Sequence, residues 1–171
     1  MQSYNAGEEI FMYDLLIIGG GPAGLTAAIY AARANLNALL LEKDSTGLGA
    51  VSVSDCVDNY PGLPGIGGYE LTERFRAHAE RLGAHITIDE ITAIRRTDSE
   101  YAVQTRYHGE LQSHTVIYAC GTSHRRLDIP GADRIGVSYC AACDGAFYQN
   151  AAVAVIGGGD RSSCSTISMP T

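Results

Sequence analysis

Two cysteines separated by two alanines, in Cys140-Ala-Ala-Cys143-Asp144-Gly145, are the residues of this chain best suited to chemistry. Thiols at that spacing can close a disulfide, and either can be tuned as an attacking thiolate. Two other uses of the pair stay open on spacing alone. One is structural, although Asp144 and Gly145 favour a turn over a core strand. The other is half of a metal site, which needs a second pair of ligands; Cys56, Cys120, Cys164 and the five histidines offer no such spacing. Asp144 reads either as a turn residue or as a carboxylate that passes a proton to a leaving thiolate.

A glycine-rich loop stands on each side of the dithiol: Gly19-Gly20-Gly21-Pro22-Ala23-Gly24 before it and Gly157-Gly158-Gly159-Asp160 after it. In the first, Gly19 permits a tight turn, Gly21 lets backbone approach a pyrophosphate, and Gly24 allows a helix to lie close to a strand. The following helix N-terminus offers free N–H groups and the positive end of its dipole. Glu42 falls about twenty positions further on, at the end of a second apolar run, where a carboxylate accepts from ribose hydroxyls. A dithiol between two candidate dinucleotide loops suggests electrons passing from a nicotinamide through a flavin to a disulfide.

The elements that must position these residues follow from periodicity. Tyr13 to Ile18 reads as a buried parallel strand, Ala23 to Ala34 as a helix with Pro22 in its first turn and Asn35 as its stop, and Asn37 to Leu41 as a second strand. Thr46 to Gly68 is Gly-, Ser- and Pro-rich and reads as loop. Glu70 to Leu82 places Leu71, Phe75, Ala79 and Leu82 on one face before Gly83, the pattern of an amphipathic helix. His85 to Ile88, Ile91 to Arg95, Tyr101 to Arg106 and Thr115 to Ala119 read as strands, the middle two as part of an antiparallel meander inserted into a parallel fold. Gly121 to Gly136 reads as a connection. Ala152 to Ile156 reads as a strand opening a second nucleotide-binding unit, but Arg161 to Thr171 is Ser/Thr-rich, carries Pro170, and does not read as the helix that should follow.

The 171 residues suit one domain plus part of another, with ordinary hydrophobic and charged content for a globular protein. A formal net charge of -7 argues against a phosphate-backbone binder. The uncharged run from Leu15 to Ala32 is broken by glycines and a proline, which a strand-turn-helix explains better than a membrane span. Five cysteines, an odd number, in a chain whose start has no secretory n-region point to reduced thiols and a cytoplasmic setting.

Taken in order, Ile17-Ile18-Gly-Gly-Gly-Pro-Ala-Gly24, Val57-Asp-Asn59-Tyr-Pro-Gly62, Ala119-Cys-Gly121-Thr122, Ile129-Pro-Gly131 and Gly136-Val-Ser-Tyr-Cys140-Ala-Ala-Cys143-Asp144-Gly145 resemble the low-molecular-weight, bacterial-type thioredoxin reductases from about Tyr13 to Asp160. The resemblance implies an α/β fold: a Rossmann-like FAD-binding domain, parallel sheet plus antiparallel meander in three layers, followed by the start of a second Rossmann-like domain for NADPH. It divides the chain into residues 1–11, an extension expected to be disordered, 12–121, the N-terminal part of the FAD domain, and 122–171, an incomplete NADPH domain carrying the dithiol. It assigns Gly19, Gly21, Pro22, Ala23, Gly24, Glu42, Lys43, Asn59, Ala119 and Gly121 to FAD, and Gly157 and Gly159 to NADPH. It makes Cys143 the thiol nearer the flavin, Cys140 the thiol that exchanges with thioredoxin, and Asp144 the acid/base, and it implies a homodimer. The family's Gly-Gly-Gln loop is replaced by Leu48-Gly49-Ala50, and everything after Asp160 departs from the pattern, so the activity of a chain ending as this one does is left open. A hydroperoxide-reductase flavoprotein subunit or an inactive flavin-binding fragment is the alternative.

Overall fold

In the computed structural model the first strand, β1 (Met12–Ile18), lies inside a six-stranded sheet among the described residues, in which the strands stand, by their order along the chain, third, second, first, sixth, fifth and fourth. Those residues are 11–44, 49–122, 128, 130, 136–139 and 145–156. The apolar run of β1 has no polar face to turn to water, so it is covered on both sides, with Leu16 and Ile17 fully buried. It ends at glycines, and α1 (Pro22–Arg33) follows with Pro22 at its start, where a missing N–H costs nothing. The helix stops at Asn35, whose φ of 54° lets the Leu36 N–H return to the Ala31 carbonyl. β2 (Ala38–Glu42) then pairs parallel to β1, and β3 (His85–Ile88) parallel to β2. The helix between them, α2 (Gly68–Arg81), ends at Gly83 in the same manner.

One face of the parallel sheet packs on helices. Leu15, Ile17 and Leu40 meet Leu25, Ala28 and Ala31 of α1 and Ala79 of α2, with Phe75 against them. Each fully buried Leu or Ile of this kind contributes about 1.5–3 kcal/mol. The other face carries Leu16, Leu39 and Leu41, and what covers them is Val103 from β5 (Tyr101–Thr105).

That contact shows how the meander sits. β4 (Ile91–Arg96), β5 and β6 (Glu110–Tyr118) pair antiparallel, and β6 also pairs parallel to β1. In sheet order β5 lies three strands from β2, about 14 Å away if the sheet were flat. Val103 joins the cluster of Leu16, Leu39 and Leu41 because β6 carries the antiparallel leaf over the second face. The result is three layers: helices, parallel sheet, meander. β6 begins five residues earlier than the apolar pattern from Thr115 predicts, because its polar first half is held by ladder bonds to β5 rather than by burial.

A buried carboxylate fixes the meander's return turn. Asp89 has no exposed side-chain surface, yet it accepts from the backbone N–H groups of Arg106, Tyr107 and His108, at 3.1 Å each, and lies 2.6 Å from His108 Nδ1. Burial alone would push its carboxyl up. Hydrogen bonds from His108 and Thr105, then from the turn amides, outweigh that and hold it down to about 2.

The chain divides into two compact units, residues 1–121 and 122–171. In the second, the described residues form a short 3-10 turn at Gly145–Tyr148. The expected strand at Ala152 to Ile156 is not formed: the segment has no ladder partner among the described residues, and an apolar run without one leaves its backbone N–H and C=O groups unpaired by a sheet. No helix among the described residues is long and apolar enough to cross a membrane.

The buried carboxylate makes stability acid-sensitive in a defined window. Because the folded pKa of Asp89 lies below its ordinary 3.8, the native state holds fewer protons there, so its contribution is complete above 3.8 and is lost as pH falls toward 2. Urea unfolding midpoints followed through that range should fall, and Asp89→Asn should flatten the fall while lowering stability at neutral pH. An unchanged acid limb in the variant would remove Asp89 as its source.

Candidate functional site

Where β1 ends, the backbone turns sharply at Gly19, whose φ of 107° is a left-handed value that side chains disfavour. Space is closed there too: a Cβ on Gly19 would stand 2.5 Å from the Ala119 carbonyl oxygen. The next turn brings α1 back over this bend. A Cβ on Gly24 would stand 1.8 Å from the Gly19 carbonyl oxygen, closer than any non-bonded approach. These two glycines are therefore required by the backbone itself.

Gly21 is different. It caps α1 with ordinary extended angles, φ -72° and ψ -177°, and a Cβ there would meet nothing within 4 Å. Beside it the first turn of α1 carries no side-chain cap. An open approach to uncapped helix-terminal amides suits an anion such as a pyrophosphate. One neighbour does come near: a Cβ on Gly49 would lie 3.3 Å from the Gly21 Cα, so Gly49 closes on this loop, with a φ of 63°. Where the resemblance expects a glutamine, Ala50 opens the 3-10 turn Ala50–Val53.

Glu42 is brought to the same place. One carboxylate oxygen accepts from the Gly20 N–H, and the other from the Asp44 N–H at 3.0 Å. Each oxygen keeps a further lone pair, so the carboxylate is oriented on the glycine loop and still able to accept from a pair of vicinal hydroxyls. The donor set and the open face at Gly21 fit the adenosine diphosphate portion of a dinucleotide.

Lys43 does not point its charge into free space. Its Nζ is 2.6 Å from Glu90 Oε1, and Glu90 Oε2 is 2.8 Å from Arg106. Hydrogen bonds from Lys43 and then Arg106 hold the Glu90 carboxyl below its usual range. Ala119 donates its N–H to Ile18 O at 2.8 Å, which locks the end of β6 against the glycine bend, and Gly121 follows with a φ of 65°. Between them Cys120 is exposed, its Sγ 3.7 Å from Ile18 O, and its hydrogen bond to Tyr118 pushes that phenol up. Asn59 is exposed in the loop closed by the Val57–Ile66 bridge and makes no hydrogen bond to the glycine loop.

Of the residues expected to do chemistry, Gly19, Gly21, Pro22, Ala23, Gly24, Glu42, Lys43, Ala119 and Gly121 gather at the C-terminal ends of β1, β2 and β6. Cys140, Cys143, Asp144, Gly157 and Gly159 lie outside the described residues. Sequence reading missed Asp89 and Glu90, which meet Glu42 and Lys43, and Arg106 and His108, which pair with Glu90 and Asp89 in turn. The Asp-Glu pair directly after an apolar strand was the available signal, but nothing in a linear pattern marks one of the two as buried.

Residues 13–162 match the family model described as pyridine nucleotide-disulphide oxidoreductase. Among curated relatives, the thioredoxin reductase of Treponema pallidum is 44% identical over 152 residues, covering 86% of this chain and 49% of the relative. That of Bacillus subtilis is 40% identical, covering 87% and 48%. The chain thus spans about half the length of the curated relatives it matches. Among solved structures, the thioredoxin reductase from Streptococcus pyogenes superposes with a TM-score of 0.71 at 39% identity, covering 80% of this chain and 45% of that one.

The glycines of the loop separate by experiment. Gly24→Ala should cost more than about 2 kcal/mol, since backbone must move to admit the methyl. Gly21→Ala should leave stability within about 0.5 kcal/mol, because its site is open. Urea unfolding of both variants checks this, and a destabilised Gly21→Ala would mean that the open face is closed in solution.

Proposed function

The chain belongs to the pyridine nucleotide-disulphide oxidoreductase family, and from that premise we propose that it carries the FAD-binding core and the redox dithiol of an NADPH-dependent thioredoxin-disulfide reductase. The observation that carries the reading is the Glu42 carboxylate hung on the Gly20 N–H beside the open face of Gly21, in a chain that also bears Cys140-Ala-Ala-Cys143. The names of the relatives support the thioredoxin assignment.

FAD, when bound, supplies a two-electron relay between a nicotinamide and a disulfide. The chain's own residues do the rest. Gly21 and the first turn of α1 receive the pyrophosphate, Glu42 orients the ribose, and Lys43, Ala119, Gly121 and Asn59 border the cofactor. Gly157 and Gly159 open the NADPH site. At the dithiol, the Cys140 thiolate attacks the thioredoxin disulfide, forming a mixed disulfide and releasing one thioredoxin thiolate. Cys143 then attacks Cys140, closing the Cys140–Cys143 disulfide and releasing the second. Asp144 supplies the proton that the leaving thiolate takes up. The protein works as a homodimer in the cytoplasm, where its remaining thiols stay reduced.

The division of labour between the cysteines gives the test. Thioredoxin with a single active-site cysteine, activated as its thionitrobenzoate disulfide, should form a lasting adduct with the Cys143→Ser variant and release coloured thionitrobenzoate. Cys140→Ser/Cys143→Ser should form adduct only at the slow background rate of the three remaining cysteines, Cys56, Cys120 and Cys164. Equal rates in the two variants would remove Cys140 as the exchanging thiol. In parallel, FAD should bind saturably to the chain, and a flat fluorescence titration would sink the cofactor assignment.

A further inference from the structure

A fully buried carboxylate beside a nucleotide site is costly unless it organises something. Asp89 joins three strand ends that are distant in sequence. Its N–H donates to the Glu42 carbonyl at 2.8 Å, the last rung between β2 and the chain leaving β3. Its side chain gathers three consecutive amides of the turn after β5 and the ring of His108. The next residue, Glu90, repeats the connection at the surface: its carboxylate bridges Lys43 and Arg106, and its carbonyl accepts from the Arg106 N–H at 2.9 Å. Glu42 and Lys43 are thus tied through Asp89-Glu90 to a turn belonging to the meander layer.

We infer that Asp89 is a positioning residue for the first nucleotide site: it holds the Glu42 carboxylate on the glycine loop by joining the end of β2 to the β5–β6 turn. The inference rests on the reading of Glu42 as the ribose acceptor for its functional consequence, but not for its geometry. β2 ends at Glu42, and beyond it the chain leaves the sheet. The register of β2 on β1 stops one residue earlier, at Leu41 opposite Ile18. Glu42 therefore has a strand neighbour on the β3 side only; its backbone is held by that last pair, by the rung from Asp89 and, one peptide earlier, by the Gly19 N–H on the Leu41 carbonyl at 2.8 Å. Once the turn amides are released, Asp89 is drawn toward water, and the rung moves with it. The carboxylate then loses its fixed place over Gly20. Around this node the charged and titratable side chains are Glu42, Lys43, Glu90, Arg106 and His108, and the opposite charges of Lys43, Glu90 and Arg106 pair among themselves. That leaves the turn amides, the Thr105 hydroxyl and His108 as the partners of Asp89 itself.

The position of the Glu42 carboxylate is readable without any ligand, because its two oxygens take the amides of Gly20 and Asp44. In native-state hydrogen exchange on the full chain, Asp89→Asn should speed exchange at Gly20 and Asp44 about tenfold while leaving the β1 amides of Leu16 and Ile17 unchanged. Equal acceleration at all four would make Asp89 merely structural and overturn the inference. If Asp89→Asn does not fold, His108→Ala decides instead: it leaves the three turn amides on the carboxylate and should accelerate the same two amides about threefold.

An FAD titration then separates the inference from the reading beneath it. Glu42→Ala should weaken FAD, and Asp89→Asn should weaken it in the parent but not further in the Glu42→Ala background. Equal weakening by Asp89→Asn in both backgrounds would overturn action through Glu42. Unchanged FAD affinity in Glu42→Ala would overturn the ribose reading, and with it the functional half of this inference, whatever the amides show.

Discussion

The nucleotide end of this fold depends on how near the backbone of α1 comes to the backbone leaving β1. At Gly24 that distance leaves no room for a single carbon, since a Cβ would overlap the Gly19 carbonyl oxygen. Two consequences follow from this approach. The small residues of α1, Ala28 and Ala31, reach the sheet and bury Leu15, Ile17 and Leu40 beneath them. The first turn of the helix also follows directly on the loop whose Gly20 N–H holds the Glu42 carboxylate. Packing and anion recognition come from one steric fact.

The second organising feature is polar. A three-layer domain must join its meander to its parallel sheet at the edges as well as through Val103 and the β2 leucines. At the nucleotide end that junction is Asp89. It is buried where burial disfavours its charge, and its hydrogen bonds more than compensate, holding the carboxyl at about 2. Such a group is strongly directional. An apolar contact there would hold the layers together, but it would not set the turn amides in one orientation or fix the rung to Glu42.

Much of the parallel half was legible because its signals are local. Pro22, Asn35 and Gly83 mark helix ends through their own backbone preferences, and α2 shows its buried face in the spacing of Leu71, Phe75 and Ala79. The meander was legible as strands but not as a layer, since nothing in Tyr101 to Thr105 says which sheet face Val103 will cover. β6 was read short because Glu110 to Ser113 are polar and gain their order from β5. Ala152 to Ile156 was read as strand from its apolar run, yet a strand exists only with a neighbour.

By itself, then, the amino-acid sequence determined the chemistry available to this protein: a glycine loop at the end of an apolar strand, an acidic residue at the right distance, and two cysteines at a spacing that can close a disulfide. Family membership followed, because each of these is a short-range pattern whose residue types are dictated by local geometry. Only the tertiary structure decided that Glu42 would rest on the Gly20 amide and that Gly49 would close on Gly21. It alone selected Asp89, rather than its neighbour Glu90, as the carboxylate that gathers the turn. The physical reason is that these arrangements join segments about twenty to thirty residues apart, through contacts that form only when the elements between them have packed, and no local preference encodes them.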